Sequence, residues 1–136
     1  MKVFIDTSAF LAILDADDGY HSQAKTGWIE LVISNAALFC NNYILVETFA
    51  LVQHRLGMEA VRTFNDNILP VVNVIWVDEA IHNAGISMLL AADRRKLSFV
   101  DCVSFETMRR WGIKIAFTFD PHFAEQGFEC IHFQNR

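Results

Sequence analysis

The chain contains no apolar run that reaches the roughly 18 residues of a membrane span. Its apolar opening, Val3-Phe4-Ile5, is cut short by Asp6 with no small-residue cleavage site behind it, so the N-terminus does not read as a signal peptide. Both absences make a cytoplasmic protein the expectation, with no membrane partner. Cysteine is scarce. Cys40, Cys102 and Cys130 are an odd number, far apart and each set among apolar residues. They read as small core residues, not as a disulfide or a zinc site. Positive charge is in deficit: 11 Lys and Arg against 16 Asp and Glu leave a formal charge of −5. Proteins that hold nucleic acid by phosphate neutralisation are usually basic. A function on nucleic acid would need metal ions or local basic patches to offset that average. Arg94-Arg95-Lys96 and Arg109, Arg110 and Lys114 are the candidates, and both also read as ordinary solvated helix ends, where cations favour the dipole. There is no Ser-His-Asp arrangement, P-loop or Gly-rich dinucleotide fingerprint, which removes those chemistries. Repeats, linkers and low-complexity stretches are missing too.

What is present is a chain of 136 residues, 53% hydrophobic and only 20% charged. That composition excludes disorder and fits one domain over residues 1–136, burying about two thirds of its unfolded surface. Short apolar runs at 3–5, 38–40, 71–77 and 113–119 read as buried strands, and 130–133 as an edge strand. Between them lie helical patterns. A first helix follows Ser8, and a second covers 21–37 with Trp28, Leu31 and Val32 on one face. A third covers 42–56 and is closed by Gly57. The fourth, over 58–69, is stopped by Pro70. The fifth runs over 78–93, and the last begins near Leu97 and ends at Trp111-Gly112. The acidic loop with Asp15, Asp17 and Asp18 lacks the remaining ligands of a calcium loop. His82 has no metal-spaced partner and reads as a surface or packing residue. Strands alternating with helices predict an α/β fold with a central parallel sheet flanked by helices on both faces.

Four carboxylates stand out from this frame. Asp6 follows the first strand directly, and Asp120 follows the fourth in the same way. Right-handed crossovers gather strand C-termini on one edge of a parallel sheet, the edge where ligands bind. Glu47 has Tyr43, Ile44, Ala50 and Leu51 as its helical neighbours, an apolar face on which a carboxylate is costly unless paired or bound to a cation. Asp101 lies among Val100, Cys102, Val103 and Phe105 near a helix start. Each has a structural alternative. Asp6 caps a helix, Glu47 is held by a first-turn dipole, Asp101 forms a capping box with Ser98, and Asp120 caps a helix with Pro121 at its first position. One shared site accounts for all four together better than four unrelated caps. Four ionised carboxylates cannot share a cleft without a cation. All-oxygen ligands select Mg²⁺ or Mn²⁺, which suits phosphodiester hydrolysis.

The segments Phe4-Ile5-Asp6-Thr7-Ser8, Glu47 in its apolar helix, Leu97-Ser98-Phe99-Val100-Asp101-Cys102 and Thr118-Phe119-Asp120-Pro121-His122-Phe123 resemble, in order and spacing, the PIN-domain family of ribonucleases, including its VapC-like toxins. The resemblance covers essentially the whole chain. It implies a three-layer PIN-like fold and a Mg²⁺- or Mn²⁺-dependent endoribonuclease. Asp6, Glu47, Asp101 and Asp120 would be the catalytic, metal-binding carboxylates, and the Ser8 and Thr118 hydroxyls would orient water or a carboxylate. It also implies an RNA substrate, a cognate antitoxin partner and a homodimer. The dimer is expected as well from three Trp and 12 Phe in so small a domain, some of them forming an exposed patch. A haloacid-dehalogenase-type phosphotransferase, which also uses an Asp after its first strand, needs a second Asp where this chain has Ser8. The competing reading from another class is a non-catalytic PIN-like module that binds protein or RNA.

Overall fold

A computed structural model describes residues 1–131. The five strands β1 (Lys2–Ile5), β2 (Ala37–Asn41), β3 (Asn73–Ile75), β4 (Ile115–Phe117) and β5 (Glu129–Cys130) form one sheet in the order β3-β2-β1-β4-β5. Every pairing is parallel, with Val3 opposite Ile115 and Ile5 opposite Phe117 in the central β1–β4 ladder. Val3, Phe4 and Ile5 are fully buried, as expected for a strand covered on both faces.

The helices are α1 (Thr7–Leu14), α2 (His21–Ile33), α3 (Asn42–Leu56), α4 (Met58–Thr63), α5 (Glu79–Ala92), α6 (Phe99–Trp111) and α7 (His122–Glu125). From β1 the chain steps outward to β2 and β3, then crosses back to β4 and β5. With right-handed crossovers, α1–α4 cover one face and α5–α7 the other. The packing agrees. Phe64 sits edge-on to Phe10 of α1 and Phe49 of α3, while Phe105 of α6 meets Phe123 of α7. The result is the predicted three-layer α/β fold. No helix among the described residues is long and apolar enough to cross a membrane.

Several boundaries differ from the sequence reading. The second helix stops at Ile33 because Ala37 already pairs with Lys2 in the sheet; Val32, predicted inward, is exposed. The fourth helix is α-helical only to Thr63. It widens into a π-helical stretch over Phe64–Ile68 and then tightens into a 3₁₀ turn over Leu69–Val71, which takes up Pro70 at its start. Proline tolerates a first turn because its missing N–H has no partner there anyway. Strands β3 and β4 are three residues each, shorter than the apolar runs that contain them. The edge strand lies at Glu129–Cys130, and residues 132–133 of that expectation fall outside the described residues. Cys40 and Cys102 are buried, Cys130 only partly. His82 is a packing residue: its Nδ1 meets the Tyr43 hydroxyl, and its ring lies edge-on to Phe99.

Candidate active site

The order in which strands are laid across the sheet reverses between β1 and β4, two adjacent parallel strands whose outgoing connections run to opposite faces. The crevice beyond the strand ends at such a switch point is the usual ligand site of an open α/β sheet. Asp6 and Thr118 stand there as the first residues past β1 and β4. The Asp6 N–H donates to Phe117 O at 3.1 Å, extending the ladder one step and fixing the Asp6 backbone.

Asp6 is the N-cap of α1 and is buried. Its Oδ2 accepts from Ser8 Oγ at 2.8 Å and from Thr118 Oγ1 at 3.0 Å, and the two hydroxyls lie 3.2 Å apart. Ser8 Oγ also accepts from Phe119 N, and Thr118 Oγ1 from Asp120 N, so each hydroxyl ties Asp6 to the loop after β4. Asp101 lies in the first turn of α6 within a complete capping box: its N–H donates to Ser98 Oγ at 3.0 Å, and its Oδ2 accepts from Ser98 N at 3.2 Å. Asp120 Oδ1 accepts from His122 N at 2.9 Å, closing the turn that starts α7. Glu47 is half-buried in the second turn of α3, beyond the first-turn dipole proposed as its alternative; Asn41, not an acid, caps that helix.

The four carboxylates therefore come from four separate elements, and they feel one another. Burial pushes Asp6 up to about 7, against the opposing Ser8 and Thr118 hydrogen bonds and with help from the charges of Asp101 and Asp120. Glu47 is raised by burial and by Asp101 and Asp120, with a Thr7 hydrogen bond opposing. Asp101 is raised by burial and by Asp120, and lowered by the Ser98 backbone. These are the signs of like charges crowded together in a poorly solvated cleft. The capping alternatives for Asp6 and Asp101 are true hydrogen bonds as well, whereas the N-cap of α7 is Pro121 and Asp120 closes the turn before that helix. Capping sets the orientation of each carboxylate without removing it from the cluster.

Sequence reasoning missed His122. Its Nδ1 lies 3.0 Å from Asp120 Oδ1 and 3.5 Å from Asp101 Oδ2, yet it is buried without a hydrogen-bond partner. Asp101, Asp120 and His122 each offer a ligand atom, all within 4.8 Å of one another, an arrangement able to hold a metal ion. Around a cation with bonds of about 2.1 Å, neighbouring ligand atoms lie about 3 Å apart, which matches the Asp120–His122 spacing. The available signal was the Asp120-Pro121-His122 spacing: a proline-opened turn folds residue i+2 back toward the carboxylate that caps it.

Three cations of the basic patches are engaged away from these carboxylates. Arg94 pairs with Glu125 and Arg110 with Glu106. Arg109 donates to Gln126 and lies over the Phe128 ring.

Comparisons with known proteins bear on the family and the fold. The family model described as PIN domain matches residues 3–129. The 23S rRNA-specific endonuclease VapC20 of Mycobacterium tuberculosis is 34% identical over 127 residues, spanning 93% of this chain and 95% of the relative. The crystal structure of M. tuberculosis VapC20, described as a sarcin-ricin loop cleaving toxin, superposes with a TM-score of 0.84 at 32% identity, covering 96% of this chain and 98% of that one. VapBC2 from Rickettsia felis, bound to a DNA fragment from its promoter, shares the fold at a TM-score of 0.73 and 12% identity, covering 98% of this chain and 100% of that one. A family model that accounts for nearly the whole chain, and a relative aligned almost end to end, lead to one conclusion: the chain belongs to the PIN-domain family.

Proposed function

We propose that this chain is a Mg²⁺- or Mn²⁺-dependent endoribonuclease and the toxin of a toxin–antitoxin pair. The observation that carries this reading is that Asp120 raises the charge cost of Asp6, Glu47 and Asp101, and Asp101 that of Asp6 and Glu47, although the four lie far apart in sequence. A fold keeps such repulsion when a cation offsets it. Asp101, Asp120 and His122 would hold the ion, with Asp6 and Glu47 close enough to add charge. The hard oxygens favour Mg²⁺ or Mn²⁺, and the single imidazole tilts the set toward Mn²⁺. When bound, such an ion lowers the pKa of its water and neutralises developing charge on a phosphodiester.

The chain's own contribution is positional. Ser8 and Thr118 hold Asp6 Oδ2 from two sides, leaving Oδ1 for water or metal. The Ser98 capping box fixes the Asp101 rotamer. Orientation of this kind keeps reacting atoms aligned, and small misplacements are expensive in rate.

The substrate proposed is RNA, and the 34% identical relative makes ribosomal RNA the first target to try. The test is cleavage of an end-labelled 23S rRNA fragment spanning the sarcin–ricin loop, and of a single-stranded RNA, in Mn²⁺, Mg²⁺ and EDTA. Metal-dependent cuts that vanish in EDTA and in Asp101→Asn are expected. No cleavage of any RNA in either metal would overturn the reading. Mn²⁺ affinity by calorimetry should fall in Asp101→Asn and Asp6→Asn. A cognate antitoxin is tested by co-purification with the product of the neighbouring small gene. A homodimer remains part of this proposal. What supports it is the exposure of large apolar side chains, Trp76, Leu90 and Val46 each being at least 70% exposed. The phenylalanines expected to contribute are all buried or half-buried among the described residues. A monomer by sedimentation at micromolar concentration would refute the dimer.

A further inference from the structure

The cleft on the far side of Asp120 is built differently from the carboxylate cluster it adjoins. It encloses about 380 Å³ and is lined by Tyr20, Gln23, Phe119, Asp120 and Cys130 among others, with no Lys or Arg among the described residues. Its size falls within the range of small-molecule sites. Tyr20 is held at the end of the acidic loop, where its N–H donates to Asp18 Oδ1 at 2.8 Å. Its ring lies nearly parallel to that of Phe119, with centroids 4.5 Å apart and planes 13° apart. Phe119 is anchored in turn: its N–H donates at 3.0 Å to Ser8 Oγ, the hydroxyl that donates to Asp6. The aromatic stack is thus braced on the same hydroxyl that orients the site carboxylate. Phe119 covers one face of Tyr20, yet Tyr20 remains 50% exposed. Tyr20 also lines the cleft, so part of its exposed surface faces that space.

We propose that this cleft is a nucleobase subsite, in which a base next to the scissile phosphate stacks on the exposed surface of Tyr20 and extends the Tyr20–Phe119 stack. The proposal rests on the nuclease reading above and adds how RNA is held. The chemistry of the walls favours a base over a phosphate. Asp120 would be taken up by the ion, and no Lys or Arg lines the cleft among the described residues. A chain of net charge −5 gains little from phosphate neutralisation. Affinity must then come from flat, neutral groups, and base–aromatic stacking supplies it with little sequence preference. Gln23 offers both an amide donor and an acceptor to a base edge.

The test uses the full chain in Mg²⁺ and two probes that contain no phosphodiester bond, adenosine 5′-monophosphate and ribose 5-phosphate, titrated by ligand-observed NMR. Wild type should bind the nucleotide about tenfold more tightly than the sugar phosphate. Tyr20→Ala should bring the two within about twofold while leaving Mg²⁺ affinity unchanged, and Tyr20→Trp should restore the preference. Equal affinity for the two probes in wild type would overturn the subsite, as would a base preference that survives Tyr20→Ala. Failure of the nuclease reading shows separately, as absence of RNA cleavage by a protein that still prefers the nucleotide.

Discussion

Helix α6 carries two polar clusters along one stripe. Asp101, in its first turn, faces Asp6, Glu47, Asp120 and His122. Ser104 and Thr107, three and six residues further on, meet the side chain of Asn41. The Asn41 cluster is neutral and fully bonded. Its amide nitrogen donates to Ser104 Oγ at 3.3 Å and Thr107 Oγ1 at 3.2 Å, its oxygen accepts from Ile44 N at 2.8 Å, and Thr107 donates on to Val103 O. All three residues are completely buried. That network locks the end of β2 and the start of α3 to α6. The carboxylate cluster, one turn away, holds like charges and an unpartnered imidazole nitrogen. The first cluster supports the fold. The second is held against its own repulsion by the fold, as expected of groups kept for chemistry.

The sharpest way to break the comparison is to remove a carboxylate. Asp6→Asn should lower single-turnover RNA cleavage by more than about 10²-fold, because a rigidly placed group is lost. Glu47→Gln, on a longer side chain in mid-helix, should retain a residual rate at high Mn²⁺, and the double variant should be no worse than Asp6→Asn alone. Near-wild-type cleavage by Asp6→Asn would overturn the proposed mechanism.

The same substitution should make the metal-free protein more stable. The folded state holds Asp6 at about 7 against an ordinary 3.8. The folded chain therefore binds more protons than the unfolded chain between those values, and stability is lost as pH rises from about 4 to 7. At pH 8 in EDTA, Asp6→Asn should gain up to about 4 kcal/mol, seen as a higher Tm. At pH 4 or below the gain should disappear. A gain of equal size at both pH values would place its cause elsewhere.

Asn41→Ala should do the reverse, losing about 2–3 kcal/mol at every pH through one helix cap and two buried hydroxyls left without their donor. Urea denaturation at pH 5 and pH 8 checks both size and pH independence. A smaller loss is expected from Gly85→Ala, at the close approach of α5 and α6. A methyl there would sit 2.5 Å from Val103 Cγ2, so overpacking outweighs the gain in helix propensity and costs about 1 kcal/mol net. An unchanged midpoint would mean that the α5–α6 contact yields more readily than its spacing implies.

Periodicity and strand-forming runs sufficed for the order of the main elements and the parallel sheet, because burial on both faces leaves a long-range mark on composition; the three layers were what the family resemblance implied. Asp6, Glu47, Asp101 and Asp120 were legible as candidates because a carboxylate beside apolar residues is conspicuous in any chain. Their functional role is still to be tested. Local chemistry also announced the Ser98–Asp101 capping box.

Other features needed the third dimension. The π-helical turn over Phe64–Ile68 has no propensity signature, since it answers to packing of Phe64 and not to local preference. The shortness of β3 and β4 depends on how far their neighbours extend. His122 carries no periodic or charge signal. Its place beside Asp101 follows from the start of α6 lying against the turn after β4 and from the turn at Pro121, and only the folded chain brings those together. The Tyr20–Phe119 stack joins residues 99 positions apart through a loop whose sequence says only that it is polar and exposed. Sequence by itself determined which residues must be hidden and which would be uncomfortable there. Tertiary structure decided which of the uncomfortable ones share a cleft, because that depends on strand order, and strand order is set by packing free energy summed over the whole sheet.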